Sequence, residues 1–440
     1  MNDFSSRFSF DDSANEEAKI CVVGVGGGGG NAINNMVEKG IRGNVEFIAI
    51  NTDAQALNEN KAPQKIQAGQ SLTSGLGAGA RPKVGAEAIE ESSNEIKQAL
   101  DGYDMVFITA GMGGGTGTGG APVVASIARD LGILTVAIVT KPFEAEGKRR
   151  TDTALEGIEL LREHVDTLIV IPNERLLDIA DDDTSLIEAF EKADSVLYNA
   201  TRGISDLITV HGLINLDFAD VETTMKDGGT ALMGAATASG ENRSEKAAIQ
   251  AISSPLLDGL SIAGATNVLV NITSGPSLGI REATQATSVI QQEAGDDVEV
   301  IFGTVIEEDM EDKLRVTVIA TGFDRRREDE AEEGTTRRTV PLQEDGSPSY
   351  YKGEDNLRQL DTPAYERRST PPNADEPDAP AERDEAEDED DEASGSSGNV
   401  RRLRADDLDS RTDRGERSRS DDADEEDDTD TPAFLRKMMD

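Results

Sequence analysis

The sequence predicts an α/β protein in which a parallel-sheet domain, a long central helix, a second smaller α/β domain and a disordered acidic C-terminal tail follow one another. Three observations carry that prediction. As far as Gly322, short apolar runs alternate with helical patterns and glycine-rich turns, the order that builds parallel sheets. One unbroken stretch of roughly 24 residues repeats apolar side chains every three or four positions, a rod of about 36 Å. After residue 325 apolar residues thin out and charged runs such as Glu382–Glu392 and Asp421–Asp430 take over. Such a chain cannot offset its conformational entropy by burial.

The elements follow in order. Ile20–Val25 is a β-rich apolar run that ends in glycines, and the helical pattern of Ala32, Ile33 and Met36 comes next. Further buried strands are expected at Val45–Ile50, Met105–Ile108, Thr135–Val139 and Leu168–Ile171, with helices around Gly85–Leu100 and Ala121–Leu131. The long helix opens at Ser185, which can form a capping box with Glu188. Its apolar stripe runs through Leu186, Phe190, Ala193, Leu197, Ile204 and Leu207. A helix at Arg243–Ile252 and strands at Val268–Ile272, Glu299–Phe302 and Arg315–Ala320 read as the second domain.

Charge narrows the function classes. The 440-residue chain has 87 acidic against 43 basic residues, a net of −44. Residues 1–324 carry −26 and the remainder −18, so the excess is not confined to the tail. A body this negative repels phosphate backbones, and no nucleic-acid partner is expected. It also predicts adaptation to high intracellular salt, where screening makes an acidic surface tolerable. The single cysteine, Cys21, rules out a disulfide framework and suits a reducing cytoplasm. Met1–Glu17 has neither a basic start nor an apolar core, so no signal peptide is expected. Apolar stretches such as Ile133–Val139 are too short to insert into a bilayer. A soluble cytoplasmic protein is expected.

Two glycine-rich turns carry the chemistry. Gly24-Val25-Gly26-Gly27-Gly28-Gly29-Gly30-Asn31 lies between a strand and a helix, where bare amides and the helix N-terminus suit an anion. It contains G-x-G-x-x-G, and Asp53 follows the next strand at a distance suited to a ribose hydroxyl. A Rossmann-type NAD-dependent oxidoreductase is therefore one reading. The second turn, Gly113-Gly114-Gly115-Thr116-Gly117-Thr118-Gly119, adds two hydroxyl donors, and neither turn has the lysine of a Walker P-loop. Two anion-binding turns in one domain suit a polyphosphate better than one pyrophosphate. The only histidines, His164 and His211, offer hydride transfer no convincing acid or base.

Gly113–Gly119 resembles the signature of the tubulin/FtsZ family, and the chain is similar to bacterial FtsZ almost continuously from Lys19 to Gly322, through Asn51–Leu57, Gly75–Ala80, Thr140–Phe143 and Asn215–Val221. The resemblance implies a self-assembling GTPase that polymerises head to tail into a cytokinetic ring at midcell, with hydrolysis at the contact between subunits. It implies a flexible N-terminal tail (1–18), a Rossmann-like parallel-sheet GTP-binding domain (19–184) and the central helix (185–209). A GTPase-activating domain with the catalytic loop (210–324), a disordered acidic linker (325–428) and a partner-binding peptide (429–440) complete the order. By the same resemblance Gly27, Gly28, Gly79, Ala80, Gly114, Gly115, Thr116 and Gly117 line the phosphates. Glu146, Arg150 and Asn173 reach ribose and phosphate, Phe190 stacks on the base, and Asn31 and Asp194 read the guanine edge. A carboxylate facing the N1–H and exocyclic amine disfavours adenine. Asn215, Asp217 and Asp220 are the implied catalytic residues, orienting the attacking water from a neighbouring subunit. GTP/GDP, Mg2+ and a monovalent cation such as K+ are the implied cofactors, with no metal site built from side chains alone.

The tail adds its own signal. Asp430–Lys437 resembles the FtsZ C-terminal peptide, and Pro432, Phe434, Leu435 and Arg436 are the residues implied to dock in apolar grooves of membrane-tethering and regulatory division proteins. Membrane attachment would then be indirect. A shorter copy, Asp361–Arg368, would supply a second tethering point. Arg81 and Lys83 replace the Asn and Glu usual in bacterial relatives and bring two positive charges beside the phosphate turn. A filament for cell shape or plasmid segregation is the alternative within the superfamily, and the terminal peptide favours division.

Overall fold

The structure, a computed structural model, describes residues 18–178, 184–210 and 212–323. Ten strands form one sheet in the order β3-β2-β1-β4-β5-β6-β7-β10-β8-β9. In chain order they are β1 (Ile20–Val25), β2 (Val45–Asn51), β3 (Gln64–Gln67), β4 (Met105–Gly111), β5 (Leu134–Lys141), β6 (Thr167–Pro172), β7 (Gly229–Ser239), β8 (Asn267–Ser274), β9 (Glu299–Ile306) and β10 (Lys313–Thr321). The strands from β3 to β7 pair in parallel, β10 runs antiparallel between β7 and β8, and β8 pairs in parallel with β9.

The apolar runs predict these strands because both faces are covered. Ile20 and Val22 point into one core with Met36, Phe107 and Val136, while Cys21, Val23 and Val25 point into the other with Ile48, Ile108 and Ala121. The central helix, Leu186–Thr209, starts with the expected capping box, Ser185 Oγ accepting from Glu188 N and Glu188 Oε2 from Ser185 N. Its Leu197, Ala200, Ile204 and Leu207 complete the first core. A third core, with Val268, Val270, Ala286, Ile290 and Val316, lies under the helices Arg243–Ile252 and Ile280–Ala294.

The α/β class is borne out, with corrections in detail. The helical region expected over Gly85–Leu100 is two helices, Pro82–Glu91 and Ser93–Leu100, broken at Ser92. Two strands are additional. β3 is a four-residue polar edge, and β7 is rich in Gly and Ala, so neither shows a β-branched run. Only three residue pairs, Thr167↔Gly229 to Ile169↔Ala231, join β6 to β7, and they make the two halves one sheet. Beneath the helix Arg202 pairs with Asp206 at 2.9 Å and with Glu307, which Arg42 approaches at 3.8 Å. Burial raises the Asp206 carboxyl against the pull of Arg202. Among the described residues no helix is long and apolar enough to cross a membrane. The expected acidic linker, the terminal peptide with Pro432, Phe434, Leu435 and Arg436, the copy at Asp361–Arg368, and His211 lie outside the described residues.

Candidate functional site

Three turns converge at the C-terminal ends of β1 and β4. The helix Gly26–Lys39 starts directly after β1 with no side-chain cap, leaving its first amides to an anion. Gly26 has φ 72, and a Cβ there would lie 2.8 Å from Gly117 N; one on Gly28 would lie 2.9 Å from Gly111 N. The first turn is thus pressed against the second. A Cβ on Gly115 would lie 2.8 Å from Ala78 Cβ and 2.9 Å from Arg81 N, which brings in the third turn, where Gly79 (φ 59) and Ala80 (φ 52) are both left-handed. For alanine that conformation costs about 1 kcal/mol, the kind of strain kept at functional sites.

Gly114 differs from its neighbours. Nothing lies within 4 Å of where its Cβ would be, and its backbone is not left-handed. The fold gives no reason for a glycine there, whereas a phosphate held by adjacent amides does. The two threonines divide: Thr118 Oγ1 accepts from Gly113 N at 2.8 Å and closes the turn, which leaves its O–H to donate. Thr116 Oγ1 lies 2.6 Å from Thr52 Oγ1, both buried. Thr52 had no assigned role in the sequence, and its position directly after β2 was the available signal.

Glu146 and Arg150 stand beside the second turn. Gly113 (φ 100) leaves room for Arg150, since a Cβ would lie 2.6 Å from Arg150 Cγ. Arg150 Nε is 3.1 Å from Glu146 Oε2 without hydrogen-bond alignment, and Glu146 Oε1 accepts from Phe143 N at 2.8 Å. Asn173, at the end of β6, is 4% exposed and its Oδ1 has no partner, an acceptor waiting for a donor. Phe190 meets Phe143 edge to face at 5.3 Å yet stays partly exposed. Asp194 lies on the same helix. Burial pushes its carboxyl up to about 7, with Lys39 lowering it and Glu191 raising it. Asn31 borders a cleft with Gly27, Gly30, Asn34 and Asn60, on the helix that packs against the one bearing Asp194.

Asp53 sits where the dinucleotide reading needs it, but its Oδ1 accepts from Gln55 N (2.8 Å) and Ala56 N (3.2 Å). It is the N-cap of the helix Ala54–Glu59, so the fold gives an aspartate a reason to stand there without any ribose.

Asn215, Asp217 and Asp220 are not brought to these turns. They follow the far end of the central helix, and Phe190 to Thr209 spans about 28 Å along its axis. All three are exposed. Asn215 Oδ1 accepts from Gly212 N at 2.5 Å, and Asp217 Oδ1 accepts from Asp220 N at 2.8 Å, capping the helix Phe218–Met225. Among the described residues no group of three His, Cys, Asp or Glu converges on a cation site.

Residues 19–181 match the Tubulin/FtsZ family GTPase domain, and residues 229–324 match the FtsZ family C-terminal domain. The chain is 47% identical to M. jannaschii FtsZ solved as an empty dimer, over 70% of this chain and 90% of that one, with a TM-score of 0.68. A point mutant of M. jannaschii FtsZ gives 47% identity, 70% and 92% coverage, and a TM-score of 0.68. The GDP-bound monomer of CetZ1 from Haloferax volcanii shares the fold at 24% identity, covering 72% of this chain and 99% of that one, with a TM-score of 0.61. The likeness to FtsZ expected from the sequence is met here by an archaeal FtsZ. Glycine turns, fold and both matched domains agree: the chain belongs to the tubulin/FtsZ family and is a GTPase of the FtsZ type.

Proposed function

We propose that the chain polymerises head to tail and hydrolyses GTP only at the contact between two subunits, as the cytoskeletal ring of cell division. The observation that carries this is the distance between its halves. The phosphate turns and Asp194 lie toward one end of the central helix, and Asp217 and Asp220 lie beyond the other. A second copy stacked along that axis brings a loop to a pocket. M. jannaschii FtsZ was solved as a dimer, and CetZ2 from Haloferax volcanii as a GTPγS-bound protofilament.

In this reading the amides of Gly27, Gly28, Gly79, Ala80 and Gly114–Gly117 hold the phosphates with Thr116, and Arg150 offsets their charge. Asn173 and Glu146 take the ribose, Phe190 the base, and Asn31 and Asp194 the guanine edge. Asp217 uses one oxygen on its cap. Asp220 has no such duty and is the better group to orient the attacking water, with Asn215 closing the turn that leads into them. Mg2+ and a monovalent cation would arrive with the triphosphate. The terminal peptide around Phe434 would tether the filament through division proteins, and the linker would give it reach.

The test is GTP turnover against protein concentration, with sedimentation in parallel, for wild type and Asp220→Ala. A threshold concentration, turnover appearing with polymer, and a variant that binds GTP and pellets but barely hydrolyses are expected. Turnover per chain independent of concentration, without polymer, refutes the shared site. Depletion in cells tests the ring: long cells without septa are expected, and altered shape with normal septa would assign the filament to cell shape.

A further inference from the structure

We propose that Thr304 is a positioning residue for GTP hydrolysis, its hydroxyl fixing the loop that carries Asn215, Asp217 and Asp220 in the shape the neighbouring subunit's nucleotide meets. The proposal rests on the shared-site reading above and concerns a residue outside every motif of that reading.

β9 is the edge of the sheet, so one side of its backbone is open to pairing. The catalytic loop uses that edge at a single point, the antiparallel bridge between Ile214 and Thr304. Thr304 N donates to Ile214 O at 3.0 Å. The return bond comes from the side chain instead of the carbonyl: Ile214 N donates to Thr304 Oγ1 at 2.9 Å. Both backbone groups of Ile214 are thereby held by one residue of β9.

The surroundings make that hold rigid. A Cβ on Gly212 would run into Thr304 O, so the loop passes the strand at the closest approach a backbone allows. Asn215 Oδ1 folds back onto Gly212 N at 2.5 Å and closes the turn over this contact. A Cβ on Gly303 would lie 2.6 Å from Leu207 Cδ2 and 3.5 Å from Leu216 Cγ, so the preceding residue seats both the helix end and the loop. Three residues further on, Glu307 is held by Arg202 of the central helix. The strand is thus fixed to the helix on one side and the loop on the other.

Thr304 is 2% exposed and cannot touch a nucleotide itself. It acts through the two residues between Ile214 and Asp217, Asn215 and Leu216, and a displacement of about 1 Å in a catalytic group can lower turnover about 100-fold. The nucleotide turns of the same chain lie at the other end of the helix, so disturbing Thr304 leaves that pocket intact.

The test uses the full chain carrying Thr304→Val, which keeps the shape and removes the hydroxyl, and Thr304→Ser, which keeps the hydroxyl. Thr304→Val is expected to bind a fluorescent GTP analogue and to pellet like wild type, with kcat lower by about 10- to 100-fold and KM unchanged. Thr304→Ser is expected within about threefold of wild type, because the return bond survives. A mixture separates positioning from general damage. Thr304→Val has a sound pocket and a misplaced loop, and Gly114→Val has a blocked pocket and a sound loop. Mixed polymer should turn over faster than the two proteins summed. Thr304→Val within twofold of wild type, loss of GTP binding together with turnover, or no gain in mixed polymer overturns the proposal. Wild-type turnover independent of concentration would instead remove the shared site, and it is read before any variant.

Discussion

Replacing Asp194 with asparagine should make the protein more stable and a poorer GTP binder at once. Its carboxyl is pushed from 3.8 to about 7, chiefly by burial, so above pH 7 the fold carries an ionised group short of solvation. Three units correspond to about 4 kcal/mol at most; partial exposure cuts this to about 2 kcal/mol. The sign follows from proton linkage. A carboxyl whose folded pKa is raised binds its proton more tightly in the native state, so the penalty is absent below about pH 4, grows between 4 and 7, and is complete above 7. Asp194→Asn removes it. The nucleotide-free variant should melt about 4 °C higher than wild type at pH 8 and at the same temperature at pH 4. GTP binding should move the other way, because the guanine N1–H and amine lose a charged acceptor, with a loss on the order of 10- to 100-fold. Wild-type affinity should also fall as pH drops through 7, and the variant's should not. Melting curves from pH 4 to 8.5 and fluorescent GTP titrations read both effects. A variant less stable than wild type at pH 8, or one with unchanged affinity, refutes the reasoning.

Other sites give sharper contrasts. Gly114→Ala should leave the melting temperature unchanged and weaken GTP binding at least 10-fold, since its Cβ meets only the space assigned to phosphate; Gly119→Ala, whose Cβ would meet Pro82 O, should lose about 2 kcal/mol or more in a denaturant titration. Asp217→Ala should lower stability by about 1 kcal/mol through its helix cap as well as turnover, whereas Asp220→Ala should lower turnover alone; melts beside rate measurements separate them. Sedimentation should rise from dilute buffer to about 1 M KCl, where the Debye length falls to roughly 3 Å and repulsion between bodies of like charge is screened; strongest assembly in dilute buffer would refute the salt argument.

The glycine turns were legible because nothing but backbone contact with an anion or with another turn calls for five glycines in seven residues. The structure adds which glycines do which. Gly117 and Gly119 make room for Gly111 and Pro82, and Gly114 makes room for nothing in the chain. β7 was illegible because Gly229–Ser239 alternates small residues that fit either a strand or a loop, and only pairing with β6 and β10 decides it. Asp53 shows the limit of spacing rules: an aspartate after a strand serves a ribose or a helix N-cap equally well, and the amides of Gln55 and Ala56 took it. The separation of Asp217 and Asp220 from the phosphate turns has no sequence signature either, since a long helix between two motifs can bring them together or hold them apart. Thr304 carries no motif, and its partner, Ile214, lies 90 residues away.

The length of the central helix also fixes an arithmetic for the assembled state. If each chain presents its pocket at one end and its loop at the other, a row of n chains encloses n − 1 complete sites. The chain at one tip has a nucleotide that no neighbour's loop reaches, and the chain at the opposite tip has a loop with nothing to act on. The first keeps its triphosphate for as long as it remains terminal, and interior chains lose theirs with age. The two tips therefore differ chemically although every chain is identical, and a filament can grow and shorten at different rates at its ends without a second protein to mark them.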